Sequence, residues 1–350
     1  MYFASDNASG AAPQVMAALA RANEGYDKSY GNDAIMDRVR AKIRAIFEAP
    51  EAAVYLVVNG TTANSLALSI GCPPWGSVFC HQDAHINVDE CNAPEFFTNG
   101  AKLIGIAGDH GKIAPQALAQ AIATTGQGGV HGAQRAMLSL TNVTEAGTVY
   151  TPAEVHALTS LAHADGQICH MDGARFANAI VATRATPAEM TWKSGIDVLS
   201  FGGTKNGLMG VEAVVIFDPA KAWEFELRRK RSGHLISKHR FLSAQMEAYL
   251  DDDLWLQLAT VANAAAKRLS NGIAAHPGAR LTHPTEANIV FASWPRAGHD
   301  RVKMAGAAYY FWPFDPSPSG PAEEPLSARL VTSWCTTTAE VDGFLSALNA

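Results

Sequence analysis

The sequence is poor in cysteine: five in 350 residues, Cys72, Cys80, Cys91, Cys169 and Cys335. The number is odd and no two stand at C-x-x-C spacing, which excludes a disulfide framework and a cysteine-built zinc site and fits a reducing compartment. Basic excess is missing too. With 27 Lys and Arg against 33 Asp and Glu, the net charge is -6 and the pI about 6.0, so there is no general attraction to nucleic acid or to an anionic membrane. No apolar run approaches the length of a membrane span. The opening MYFASDNASGAAP has no basic stretch leading into an apolar core, so no secretory leader is expected and a cytoplasmic location is. Internal repeats and low-complexity tracts are absent, apart from the glycine-rich patch at 126–132, which reads as a surface loop.

What is present is enough apolar sequence for a large core: 48% hydrophobic residues and 17% charged. The length exceeds what one hydrophobic core usually supports, so a large domain plus a smaller one is expected. Ile35, Val39, Ile43 and Ile46 recur at helical spacing between Arg38, Arg40, Lys42 and Arg44, predicting an amphipathic helix over 33–47. Short apolar runs at 53–58, 137–140, 167–171, 198–201 and 213–217 read as buried strands separated by helical text such as 152–164. That alternation predicts an α/β fold, a mostly parallel sheet flanked by helices. After about Tyr249 the pattern changes to a long helix over 254–273 and strand-like pieces near 288–292 and 329–332. The expected division is a large domain with an N-terminal arm at 1–248 and a small C-terminal α+β domain at 249–350. Five prolines make 313–325 a loop.

Three constellations follow apolar runs. Gly60-Thr61-Thr62-Ala63-Asn64 is a glycine turn opening a helix, suited to a phosphate and equally to an ordinary N-cap by Thr61 or Thr62. Asp172-Gly173-Ala174-Arg175 follows the run at 167–171; Asp-Gly is also a common turn dipeptide, yet an aspartate there could keep a pyridine nitrogen protonated. Ser200-Phe201-Gly202-Gly203-Thr204-Lys205-Asn206-Gly207 sets a lysine among small residues after a strand. Burial or a nearby cation would make that amine neutral enough for Schiff-base chemistry. The basic run Arg228 to Arg231 reads on its own as a solvated helix face.

Phosphate turn, acid and lysine come in the chain order of fold-type I pyridoxal-phosphate enzymes. With Ser5-Asp6-Asn7, Ser29-Tyr30-Gly31-Asn32-Asp33, His81-x-x-x-His85 with Glu90, and Ala328-Arg329-Leu330-Val331-Thr332, the chain resembles the low-specificity L-threonine aldolase family, in its phenylserine aldolase-like branch, from about Ser5 to Arg329. The resemblance implies a pyridoxal 5'-phosphate cofactor bound as a Schiff base to Lys205, in a transferase-like fold of type I. It implies that His85 stacks on the ring with Glu90 behind it, that Asp172 meets the ring nitrogen, and that Arg175 sits by the ring hydroxyl and substrate carboxylate. Gly60, Thr61, Thr62, Thr204 and Lys230 would be cofactor contacts, and Ser5 and Arg329 would clamp the substrate carboxylate. Tyr30 and Lys230 would come from a neighbouring subunit, in a homo-oligomer, a tetramer, whose site is shared between two subunits. The implied reaction splits a β-hydroxy-α-amino acid into glycine and an aldehyde, with His85 as the base at the β-hydroxyl; β-elimination from a serine-like or aromatic amino acid is the alternative. One departure stands out. Many family members carry a histidine in the loop after the strand corresponding to 137–140, whereas this chain reads Thr141-Asn142-Val143-Thr144-Glu145-Ala146-Gly147 there, with no histidine, which leaves Thr144, Glu145 or water to meet the hydroxyl.

Overall fold

A computed structural model describes residues 1–350. The large sheet has seven strands, β1 (Ala53–Val57), β2 (Gly76–His81), β3 (Lys102–Ile106), β4 (Gln134–Thr141), β5 (Ile168–Gly173), β6 (Val198–Gly202) and β7 (Glu212–Ile216), in the order β1-β7-β6-β5-β4-β2-β3. From β6 to β3 every pairing is parallel; β7 alone runs antiparallel to both neighbours, β6 and β1. Strands β1, β2, β6 and β7 are buried along their whole length, because helices cover both faces, and this is why they read as unbroken apolar runs rather than as alternating ones.

The two faces differ in chemistry. Leu138, Leu140, Cys169, Met171, Leu199 and Phe201 enter the main core, where the helices Ala34–Ile46, Pro152–Ala164 and Arg240–Leu250 close over them. The alternate positions Ser139, His170 and Ser200 point to the other face and form a buried chain, His170 Nδ1 to Ser139 Oγ at 2.9 Å and Nε2 to Ser200 Oγ at 3.0 Å. Burial pushes the His170 imidazole down to about 4, so it stays neutral between its two hydroxyls. The helix Gly60–Ser69 packs on that polar face.

A second sheet of four strands, β8 (Arg280–Leu281), β9 (Ile289–Pro295), β10 (Tyr310–Phe311) and β11 (Pro325–Val331), is antiparallel throughout, in the order β10-β11-β9-β8. The 21-residue helix Leu254–Ala274 serves both cores: Leu254, Trp255, Leu258 and Ala259 lie in the large one, and Ala266, Leu269 and Ile273 in the small one. The N-terminal residues pack against the small sheet. Phe3 donates its N–H to Ala308 and accepts from Val331, and its ring meets Phe344 edge-on at 5.5 Å. The helix bearing the basic run, Ala222–Arg231, corrects one expectation: Arg229 is buried over the Tyr55 ring at 4.9 Å, because a cationic stem packs well on an aromatic face.

Phe201 is fully buried between the rings of Phe47, Phe176, Tyr249 and Trp255, at 5.5 to 6.0 Å, just before the turn that carries Lys205. Phe201→Ala is expected to lower stability by about 3–5 kcal/mol in denaturant unfolding. Trp75→Ala, at a position 67% exposed, should stay within about 0.5 kcal/mol; equal effects would refute the packing assignment.

Candidate active site

The carboxyl ends of the parallel strands lie side by side, Thr141 of β4 opposite Asp172 of β5 and Asp172 opposite Ser200 of β6. In an open α/β sheet a ligand crevice forms at such ends. The loops that leave them carry His85 after β2, Glu145 after β4, Arg175 after β5 and Lys205 after β6.

Asp172 is buried and both its oxygens are held: Oδ1 accepts the Ala174 N–H at 2.9 Å, and Oδ2 accepts from Asn64 Nδ2 at 2.9 Å. Asn64 also donates to Glu90 Oε1 at 2.9 Å, and the same oxygen lies 2.8 Å from His85 Nδ1. One side chain of the Gly60 helix therefore ties the aspartate to the histidine. The hydrogen bond to Glu90 raises the His85 pKa against the opposing effect of burial. His81, four residues earlier, serves the turn itself, with Nε2 3.1 Å from the Gly108 carbonyl and Nδ1 accepting the Asp83 N–H.

Lys205 sits in the turn after β6 with no hydrogen bond or ion pair on its amine. Burial first, and the Arg175 guanidinium next, hold its pKa below the ordinary lysine range. The turn is fixed by Glu212 of β7, a buried residue that the sequence reading missed. Its Oε2 accepts the Gly203 N–H at 2.6 Å, and burial pushes its carboxyl up to about 7. Thr204 points inward, Oγ1 accepting the Val211 N–H at 3.2 Å.

Arg175 is already engaged. Nε and Nη2 grip both oxygens of Asp6 at 2.7 and 2.9 Å, so the expected contact with a ring hydroxyl or a substrate carboxylate is left to Nη1. Arg329 of β11 has no such partner. Burial, then repulsion by Arg175, pushes it down to about 10, which describes a cation awaiting an anion. Ser5, half-buried, caps the turn at Asp6 by accepting the Asn7 N–H at 3.1 Å.

At the phosphate turn Asn59, not Thr61, is the N-cap, accepting the Thr62 N–H at 2.9 Å. A Cβ on Gly60 would meet nothing within 4 Å, so space is open over the first turn of a ten-residue helix, where N–H groups and dipole favour an anion. The Thr62 hydroxyl lies 3.2 Å from His234 of the same chain, a contact no sequence period could reveal. Tyr30 and Lys230 are both exposed and stand together, Nζ 5.0 Å from the ring centroid. Thr144 is sealed off, bonded to Thr148 Oγ1 at 2.7 Å and to the His110 carbonyl at 3.3 Å, which removes it as a hydroxyl-binding group. Glu145 is turned the other way: Oε1 accepts the His85 N–H at 2.8 Å, and Oε2 is buried without a partner.

Comparison with known proteins agrees with this arrangement. A family model described as Beta-eliminating lyase matches residues 2–294. The low specificity L-threonine aldolase of Pseudomonas sp. (strain NCIMB 10558) is 41% identical over 339 residues, 97% of this chain and 94% of that protein. The enzyme of the same name from Pseudomonas aeruginosa is 42% identical over 308 residues, 88% of each. Among solved structures, a threonine aldolase of Leishmania major superposes with a TM-score of 0.91 at 27% identity, over 99% of this chain and 98% of that one. The architecture is thus the fold-type I arrangement expected from sequence, and with such identity sustained over nearly its whole length the chain belongs to the beta-eliminating lyase family and, within it, to the low specificity L-threonine aldolases.

Proposed function

We infer that this chain is a carbon–carbon lyase that holds pyridoxal 5'-phosphate on Lys205 and cleaves L-threonine, L-allo-threonine and related β-hydroxy-α-amino acids such as phenylserine to glycine and an aldehyde. The observation that carries the reading is a half-buried lysine whose amine has a lowered pKa and no partner of its own, in the turn after β6, the strand next to the one that ends at a buried aspartate with both oxygens hydrogen-bonded. The residues fit the cofactor. The open helix N-terminus at Gly60, Thr61 and Thr62 would take the phosphate, Asp172 the ring nitrogen, and His85 the ring face, with Thr204 shaping the lysine turn. When bound, the pyridinium ring supplies an electron sink for a pair released at Cα.

The chain's own groups do the rest. Arg329, with Ser5 and the free edge of Arg175, would bind the substrate carboxylate, and holding it there would orient Cα so that the Cα–Cβ bond is the one selected for cleavage. Glu90 would orient His85, and the Lys205 amine would carry a proton to Cα. Tyr30 and Lys230 pair on the surface of one chain, which supports their joint delivery into the site of a second subunit, in a homo-oligomer that we take to be a tetramer. No helix is long and apolar enough to cross a membrane, and we place the protein in the cytoplasm.

The deciding assay offers threonine, allo-threonine and phenylserine and scores products: glycine with an aldehyde is expected, whereas ammonia with a keto acid would establish β-elimination instead. Lys205→Ala should no longer retain the cofactor after borohydride reduction, as read by mass; a persisting adduct would place the linkage elsewhere. Arg329→Leu should leave the cofactor bound and raise KM for the amino acid roughly 10- to 100-fold, the equivalent of about 1.5–3 kcal/mol for a hydrogen bond to a charged group. Because Glu90 raises the His85 pKa, Glu90→Gln should shift the NMR titration of that ring to lower pH; an unmoved midpoint would separate the two residues.

A further inference from the structure

The reaction just described needs a proton acceptor at the β-hydroxyl, and the site holds several groups that could be one. His85 is poorly suited, since Nδ1 is bound to Glu90 at 2.8 Å, Nε2 lies 3.5 Å from Asp89, and both carboxylates favour the protonated ring. A ring that stacks on the cofactor also presents its face, not a nitrogen lone pair, to the ligand. The Thr144 hydroxyl is spent on Thr148 and the His110 carbonyl. Glu90 also has an unpartnered Oε2, but its side chain has no exposed surface at all and its Oε1 is taken by Asn64 and His85, whereas Glu145 is half-buried; Glu212 is occupied with the backbone of the lysine turn.

Glu145 remains. Its Oε1 is anchored on the backbone N–H of His85, which fixes the carboxyl at the edge of the site, and its Oε2 has no partner in the chain. Its charge is felt by both Arg329 and Arg175, the two arginines assigned above to the substrate carboxylate. The β-hydroxyl is one carbon beyond Cα from that carboxylate, and a base for it must sit near the arginine that holds the carboxylate.

We propose that Glu145 is the general base of the cleavage, accepting the β-hydroxyl proton at Oε2. This rests on the retro-aldol reading given above. In the step the substrate O–H bond breaks and an Oε2–H bond forms; the O–H electron pair becomes the second C–O bond of the aldehyde; the Cα–Cβ bond breaks and its pair stays with Cα. Lys205 then supplies the proton that makes glycine, and Glu145 gives up its proton to water as the aldehyde leaves. Burial pushes the Glu145 carboxyl up to about 7, against the opposing His85 N–H bond, and a base poised near the working pH is the efficient one. The groups facing it are His85 and Cys80 on the β2 side, Asp172 and Arg175 at the end of β5, Tyr150 beyond its own loop, and Arg329 on β11.

The test is Glu145→Gln, which keeps the shape and the hydrogen bond from His85. The cofactor should remain fixable by borohydride and glycine should bind within about threefold of the parent by calorimetry. Cleavage of threonine and phenylserine should fall by roughly 100- to 10,000-fold, the usual contribution of general acid–base catalysis, and Glu145→Asp should recover part of it. Infrared spectra of the cofactor-free parent should show protonated carboxyl absorbance that titrates away as pH rises through about 7, with contributions from Glu145 and Glu212; Glu145→Gln should remove one of the two. Cleavage within threefold of the parent, equal loss of glycine binding and cleavage, or an infrared titration unchanged by the substitution would each overturn the assignment. A parent that yields ammonia and a keto acid would overturn the retro-aldol reading itself, an outcome distinct from any of these.

Discussion

The buried pair between Asp6 and Arg175 joins parts of the chain that are far apart in sequence. The carboxylate belongs to the N-terminal arm, the guanidinium to the turn after β5, and Asn288, at the start of β9 in the small sheet, donates to the same Asp6 oxygen at 3.0 Å. Burial alone would push the Asp6 carboxyl up, but Arg175 and Asn288 more than offset it and hold it below the usual carboxylate range. Removing one partner would strand a desolvated charge, so arm, large sheet and small sheet are locked together at the floor of the site. The same pairing sets the electrostatics around it. Arg175 cannot move away from Lys205 or Arg329, and its fixed positive charge lowers the pKa of both.

Much of this fold is legible in the sequence because it rests on period and punctuation. The helix Ala34–Ile46 carries its apolar residues at helical spacing behind an Asp33 cap, and Thr151 with Glu154 forms a capping box at the start of the next long helical segment after β4. The buried strands appear as apolar runs. Their direction does not: a strand covered on both faces has no alternation to orient it, and nothing in the run Glu212–Ile216 distinguishes the one reversed strand β7 from its neighbours. Two-residue strands such as β8 and β10 are too short to have a pattern, and the docking of Phe3 on the small sheet depends on a single ring.

At the site, Asp172 and Lys205 could be singled out because each follows a strand, and strand ends are where ligands collect. What surrounds them could not. Asn64 bridging Asp172 and Glu90, Glu212 gripping the backbone of the lysine turn, and His234 against Thr62 are side-chain contacts with separate parts of the chain, with sequence separations of 108, 26, 9 and 172 residues. No spacing rule relates such positions. The N-cap is a more local signal: Asn59, directly before Gly60, is of a residue type among the strongest N-caps.

The shifted groups share a direction that bears on how the site works. Burial moves Lys205 and Arg329 down and Glu145 and Glu212 up, each toward its uncharged form, while Asp6 and Arg175 hold each other ionised. A site whose charged groups were all paired internally would offer an amino acid nothing in exchange for its own hydration. Here Asp6 and Arg175 are paired with each other, while Arg329 and the Lys205 amine have no partner and Glu145 keeps one oxygen free: a cation suited to a carboxylate, an amine suited to a carbonyl carbon and a carboxyl suited to a hydroxyl. The desolvation that makes those groups costly in the free protein is what makes them selective, because an amino acid must offer a carboxylate to Arg329 and a hydroxyl to Glu145 together, while the Lys205 amine would be matched by the cofactor's carbonyl carbon.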